Sequence, residues 1–242
     1  MTALPTALQK WPLLRSLFMT LTFMAFYAAV PFLSLSTVGA AISIAPIFVT
    51  LLTAFVIREP VGWMGWIAVF VGFLGVLVLL QPGSDAFSLW ALLPLVGALF
   101  YATAHIIMRS KCQDVPLSAM ALSLNLVMLA AGIIMSVVFF LWQPQSEMAN
   151  AYPYLFGNWS SVGVKEWLVL GLLAVLVIAI GMGMAGAYQA AAPSIISTFE
   201  YGYLVFVVFW DILFFDTTPT PLKLLGMALI IAAGLMVLKR EK

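Results

Sequence analysis

STVGAAISIAPIFVTLLTAFVIRE at 36–59 and PSIISTFEYGYLVFVVFWDILFFD at 193–216 align without a gap at an offset of 157 residues. Identity is low, but the architecture agrees. Each segment opens with small or hydroxyl residues, runs apolar for about the ~20 residues that a bilayer crossing needs, and closes on an acid, Glu59 or Asp216. Each is followed by a second apolar run rich in Gly and Ala, WIAVFVGFLGVLVLL at 66–80 and LLGMALIIAAGLMVLK at 224–239.

Composition places these segments in lipid. Of 242 residues, 64% are hydrophobic and 8% charged, too little charge to cover a soluble domain. In a bilayer the backbone must satisfy its own polar groups and the outer side chains must be apolar, which this chain suits. Eight apolar stretches are long enough to span, at about 16–35, 37–57, 63–81, 88–108, 117–142, 167–190, 194–215 and 221–238. They are separated by turn chemistry such as Arg58-Glu59-Pro60, Gln81-Pro82-Gly83 and Ala192-Pro193. The one long loop, Gln143 to Glu166, is rich in the Trp, Tyr and Pro of an interfacial segment. The first stretch is longer than a signal-peptide core and is taken as a span. The expected fold is therefore all-α, a polytopic bundle of eight transmembrane helices.

Lysine and arginine give the orientation. With a cytosolic amino terminus, Lys10, Arg15, Arg58, Arg109, Lys111, Lys239, Arg240 and Lys242 lie inside, and only Lys165 and Lys223 outside. Both termini are then cytosolic. In this frame 36–59 runs outward to inward and 193–216 inward to outward, which makes an inverted repeat of the kind secondary carriers use.

APIFVTLL at 45–52, EPVGW at 59–63 and GFLGV at 72–76, with FEYGYLVFVVFWDILFFD at 199–216 and LLGMALIIAAG at 224–234, resemble the two halves of EamA transporters of the drug/metabolite transporter superfamily. The resemblance covers about residues 14–239. It implies ten helices in two five-helix inverted repeats around an alternating-access cavity, moving a small metabolite or drug across a bacterial inner membrane. On that pattern residues 14–81 are an incomplete first repeat of three helices, two short at the amino-terminal side, and residues 88–239 a complete second repeat of five. The alternative is a truncated or non-transporting membrane subunit of the same fold. Besides lipid and substrate, a second copy of the chain is a partner that could supply the missing walls. The F-E-Y stretch at 199–201 is similar to relatives associated with S-adenosylmethionine or riboflavin.

Ionisable groups inside spans are costly and so mark cavities or partners. Three fall there: His105, Glu200 and Asp211. Glu200 is nearest the midplane and is the candidate substrate anchor and coupling site. Asp211 is a second coupling candidate. At 100° per residue their eleven-residue separation is about 1100°, three turns and ~20°, so they share a face with Tyr203 and Val207 between them. Tyr101, His105 and Arg109 form an i, i+4, i+8 stripe, with Arg109 an anchor at the cytosolic end. Ser43, the offset partner of Glu200, lies on a weak polar stripe with Ser36, Thr50 and Thr53. Tyr27 and Tyr188 complete the candidate substrate-binding set, with Asn125 and Gln189 as further polar residues near span ends. Hydroxyls in such stripes also commonly bond the i−4 carbonyl and nothing else.

Other chemistries lack their residues. No basic run interleaved with aromatics suggests nucleic acid. With one cysteine, Cys112, there is no internal disulfide and no cysteine-based metal site. The G-x-G-x-x-G of Gly181, Gly183 and Gly186 lies inside an apolar span, not between a strand and a helix, and reads as close packing rather than nucleotide binding. No H-E-x-x-H, paired aspartates or nucleophile motif supports an enzyme, and no cofactor is expected.

Overall fold

The computed structural model describes residues 3–33, 35–83, 88–142, 163–215 and 220–240. Among them the chain is all-α, with no strand. A short α1 (Ala3–Ala7) precedes α2 (Lys10–Ala29). Then come α3 (Leu35–Ile42), α4 (Ala45–Phe55), α5 (Trp63–Leu80), α6 (Leu92–Lys111), α7 (Leu117–Trp142), α8 (Val164–Ala190), α9 (Pro193–Glu200), α10 (Tyr203–Phe215) and α11 (Pro221–Arg240). Every one of the eight apolar stretches is helical, but only six segments meet the length and hydropathy of a membrane span. These are Lys10–Ala29, Thr37–Phe55, Trp63–Leu80, Leu89–Lys111, Leu117–Phe139 and Val164–Ala190, with Pro221–Met236 a shorter apolar helix. The count of eight spans is not confirmed among the described residues: the stretch 194–215 divides into α9 and α10, and Pro221–Met236 is shorter than a span. Most of the long loop and Asp216 lie outside the described residues, as do the side chains of Ser36, Val207 and Asp211.

The first span begins six residues earlier than expected, at Lys10 rather than 16. Pro12 sits in the first turn, where the missing N–H costs nothing, and the helix carries Arg15 inside it. That position matters for the site.

Both repeat-related helices break, and they break at equivalent places. Ser43–Ile44 divides α3 from α4, and Tyr201–Gly202 divides α9 from α10, again 157 residues apart within one position. The causes differ. Pro46 lacks the N–H that would bond Ile42, and the Ile44 N–H tightens onto Ala41 at 3.3 Å. No proline acts in the second break. There the amides of Tyr201, Gly202, Leu204 and Val205 all bond the carbonyl three residues back. Such a stretch turns about 120° per residue instead of 100°, so the arithmetic that put Glu200 and Asp211 on one face does not carry across it.

Packing pairs the equivalent helices with each other. α4 lies against α9, and α5 against α11 along their length. The second pair is brought together by Gly75 and Gly226. A Cβ on Gly75 would sit 2.9 Å from the Gly226 carbonyl oxygen, and one on Gly226 2.8 Å from that of Gly75. Backbones this close are the usual product of small residues at membrane helix interfaces. α2 packs on α6 and α7, where Gly97 admits the Phe26 ring and the Thr22 hydroxyl donates to the Gly97 carbonyl at 3.2 Å. Outward faces of α7 and α8 are apolar and exposed over most of their length, as a lipid-facing surface must be.

Candidate functional site

Glu200 is the last residue of α9, immediately before the second break. Its carboxylate oxygen Oε1 accepts two phenol hydrogen bonds, from Tyr101 of α6 at 2.8 Å and from Tyr188 of α8 at 2.7 Å. The α8–α9 connection at Ala191–Ala192 is short, and Pro193 opens α9, so the end of α8 folds back beside Glu200. The next residue, Tyr201, points the other way. Its ring fills the space left by Gly72 of α5, where a Cβ would meet it at 2.5 Å, and it is buried with Leu204, Val69 and Ile230. One flank of the break is thus fixed in an apolar cluster while the other presents a carboxylate.

His105 lies one turn after Tyr101 on α6. Its ring is 3.8 Å from that of Tyr188, stacked, and 4.3 Å from that of Tyr101, tilted. It is fully buried, and neither ring nitrogen has a hydrogen-bond partner among the described residues. The ring holds the two tyrosines in place from between them.

These groups line a cavity of about 720 Å³. α2 contributes Arg15, Met19 and Phe23 at i, i+4, i+8 spacing. α8 adds Ile180, Gly181 and Met184, and the broken helix adds Phe199, Tyr203 and Phe206. The volume is in the range of small-molecule sites, and the composition matches them: aromatic and apolar walls with a few convergent polar groups. Gly181, from the glycine motif, forms part of the wall, and a Cβ there would meet nothing within 4 Å.

The expected residues divide. Glu200, Tyr101, His105 and Tyr203 line the one cavity, and Tyr188 joins it through the carboxylate. Ser43 is buried on the equivalent helix, donates to the Gly39 carbonyl at 2.8 Å and lies within interaction reach of Tyr203. Thr50 and Thr53 donate to the i−4 carbonyls of Pro46 and Val49. Asn125 likewise donates to Ala121. Tyr27 does not line this cavity: it is 60% exposed near the end of α2, far along the helix from Arg15. Arg15 was missed. As a basic residue next to an apolar run it satisfied the positive-inside pattern, and only the earlier start of α2 brings it into the bundle, 2% exposed and facing the cavity.

Arg109 does more than anchor. Its Nε donates to Glu59 Oε1 at 2.9 Å and its Nη1 to the Gln189 carbonyl at 3.0 Å. The Gln189 side chain in turn donates to the carbonyls of Cys112 and Val115 at 2.7 and 2.9 Å. Arg58, at φ 57, takes the left-handed conformation just after α4. Glu59 then folds back, its N–H bonding the Thr53 carbonyl at 3.1 Å. A latch so built ties the α4–α5 turn, the end of α6 and the end of α8 together at one mouth of the bundle. Beside it, burial pushes the Cys112 thiol up from 9.0 to about 11.

A family model described as the EamA-like transporter family matches residues 3–81. Curated relatives include a riboflavin transporter of Vibrio cholerae, 26% identical over 196 residues, covering 81% of this chain and 60% of that protein. A riboflavin transporter of Rhizobium johnstonii is 28% identical, with 81% and 59% covered. An S-adenosylmethionine uptake transporter of Rickettsia prowazekii is 23% identical, with 81% and 60% covered. The chain thus spans about three fifths of the length of these relatives. A solved crystal structure of a protein superposes with a TM-score of 0.74 at 18% identity, over 99% of this chain and 80% of that one, a likeness of fold.

Proposed function

We propose that the chain is a member of the EamA-like transporter family and a secondary carrier of a small metabolite, with the Glu200 cavity as its substrate site; the family model over residues 3–81 and the transporter relatives support this reading. It is an integral membrane protein and not an enzyme. The observation that carries the proposal is the carboxylate held by two tyrosines beside a helix break, in a cavity large enough for a metabolite. Both phenols bond Oε1, which leaves Oε2 free among the described residues to take a donor from a substrate. Broken helices that meet at a site are a recurring device of secondary carriers. The paired breaks and the packing of α4 on α9 and α5 on α11 support two inverted repeats, 14–81 and 88–239. Rocking of the halves about Glu200 would open the cavity to alternate sides, with the Glu59–Arg109 latch closing the mouth at one side. By the charge pattern that side is cytosolic, in a bacterial inner membrane with both termini inside. The relatives' names make flavin-like and adenosyl-sulfonium-like molecules the first substrates to try.

Uptake of labelled riboflavin and S-adenosylmethionine into vesicles carrying the protein tests this. Saturable uptake of one of them is expected, reduced about tenfold or more in Glu200→Gln, since a hydrogen bond to a buried charge contributes about 1.5–3 kcal/mol. Uptake of neither, or uptake that Glu200→Gln leaves unchanged, refutes the proposal.

A further inference from the structure

Arg15 is the feature that the carboxylate site does not explain. It sits five residues into α2, where a long basic side chain ordinarily extends to the membrane surface and keeps its charge in water. Here it does the opposite: it is 2% exposed and forms part of the cavity wall. Its Nε has no hydrogen-bond partner, and no acid lies within ion-pairing distance among the described residues, where the ion pair formed is that of Arg109 with Glu59. The charged neighbour on the same cavity, Glu200, is engaged by Tyr101 and Tyr188 instead. An unpaired buried cation is destabilising by several kcal/mol. A fold that holds one in a cavity wall leaves its compensation to whatever enters.

We propose that Arg15 is a binding residue for an organic anion, so that the cavity takes a molecule with a carboxylate or similar anionic group at Arg15, an apolar or aromatic body, and a hydrogen-bond donor at Glu200. The inference rests on the cavity being the substrate site. The guanidinium fork matches a carboxylate with two parallel N–H bonds, which an ammonium cannot do. Met19 and Phe23 continue the same helical stripe from Arg15, so the ligand's body lies along them, towards Phe199 and Phe206 across the cavity. Met184 adds a side chain that repacks around different ring shapes. The arrangement selects for an anion at one point and a hydrogen-bond donor at the other, and tolerates variety between them.

The test uses matched acids and amides. Purified protein in detergent, at constant ionic strength, is titrated with indole-3-acetate, 2-naphthoate and tryptophan, each against its own amide, and apparent affinity is taken from the rise in melting temperature. Acids are expected to bind about tenfold or more tightly than their amides, the preference of a charge-assisted over a neutral contact. Arg15→Gln is expected to abolish the preference, Arg15→Lys to restore it in part, and Glu200→Gln to weaken tryptophan while keeping acid above amide for naphthoate. Equal or absent effects of acids and amides on the wild type overturn the proposal without reference to any variant. So does an undiminished preference in Arg15→Gln. If vesicle uptake depends on Glu200 while acids and amides bind alike, the anion site alone fails. If the acid preference depends on Arg15 while no uptake occurs, transport fails and the anion site stands.

Discussion

Glu200 joins two tyrosines of unequal surroundings, and a double-mutant cycle should tell them apart. Tyr188 is fully buried, so its hydroxyl has nowhere else to donate when Glu200 becomes Ala. Tyr101 is half-buried and borders the cavity, where water can replace the lost acceptor. In water-soluble proteins an orphaned buried donor costs about 1–3 kcal/mol. Within membranes the measured coupling of polar pairs averages only ~0.6 kcal/mol, with a maximum of ~1.7, because the unfolded chain in lipid also finds partners. A charge-assisted bond to a buried phenol belongs near that maximum. We therefore expect a coupling of about 1–1.7 kcal/mol between Glu200→Ala and Tyr188→Phe, and about 0.5 kcal/mol or less between Glu200→Ala and Tyr101→Phe. Reversible unfolding of the purified single and double variants in mixed micelles of graded SDS content measures both cycles. A Tyr101 coupling equal to or above that of Tyr188, or both near zero, would refute the assignment of Tyr188 as the structural partner and Tyr101 as the cavity-facing one.

The latch offers a second test. Its ion pair is partly exposed, 21% and 29%, so Arg109→Gln should cost only about 0.5–1 kcal/mol in stability yet loosen the mouth of the bundle. Cys112 reports that loosening. Cys112 is fully buried, and burial raises its thiol from 9.0 to about 11, so both access and thiolate supply make alkylation by a maleimide slow at neutral pH. Arg109→Gln should speed the labelling, and an unchanged rate would mean that Gln189 holds the Cys112 segment unaided. Gly75→Ala should destabilise by about 1–3 kcal/mol, because its Cβ meets the Gly226 backbone and α5 and α11 must separate. Gly171→Ala, with nothing within 4 Å, should be neutral or slightly stabilising, and equal melting temperatures for the two variants would contradict the close approach.

How much of this was visible beforehand depended on what each signal measures. Apolar length located the long helices because lipid imposes the same requirement on each span. Glu200 stood out for the reverse reason, as a group that lipid does not tolerate without a partner. Tyr101 and His105 followed from their i, i+4 spacing. Breaks were harder. Pro46 signals the first, but the second has only Gly202, which the sequence shares with many unbroken spans, and so the helical wheel linking Glu200 to Asp211 was carried through a turn that does not exist as drawn. Tyr27 lies apart from this cavity, and polarity near a span end fits an interfacial ring as well as a cavity wall.

Arg15 marks the limit most clearly. An arginine at the edge of an apolar run satisfies the positive-inside pattern whether it reaches out to the headgroups or folds in towards the bundle, because that pattern counts charge and not direction. Direction is decided by three-dimensional neighbours: by Pro12, which lets α2 start at Lys10, and by the Ser16 hydroxyl, which donates to Ser123 at 3.1 Å and turns this face of α2 inward against α7. Once that rotation is fixed, the i, i+4, i+8 stripe carries Arg15, Met19 and Phe23 onto the cavity together. The same stripe is what couples recognition to helix position. A ligand bridging Arg15 on α2 and Glu200 at the end of α9 would link the span preceding the first break to the half-helix preceding the second, so that binding at both ends constrains the two halves at once.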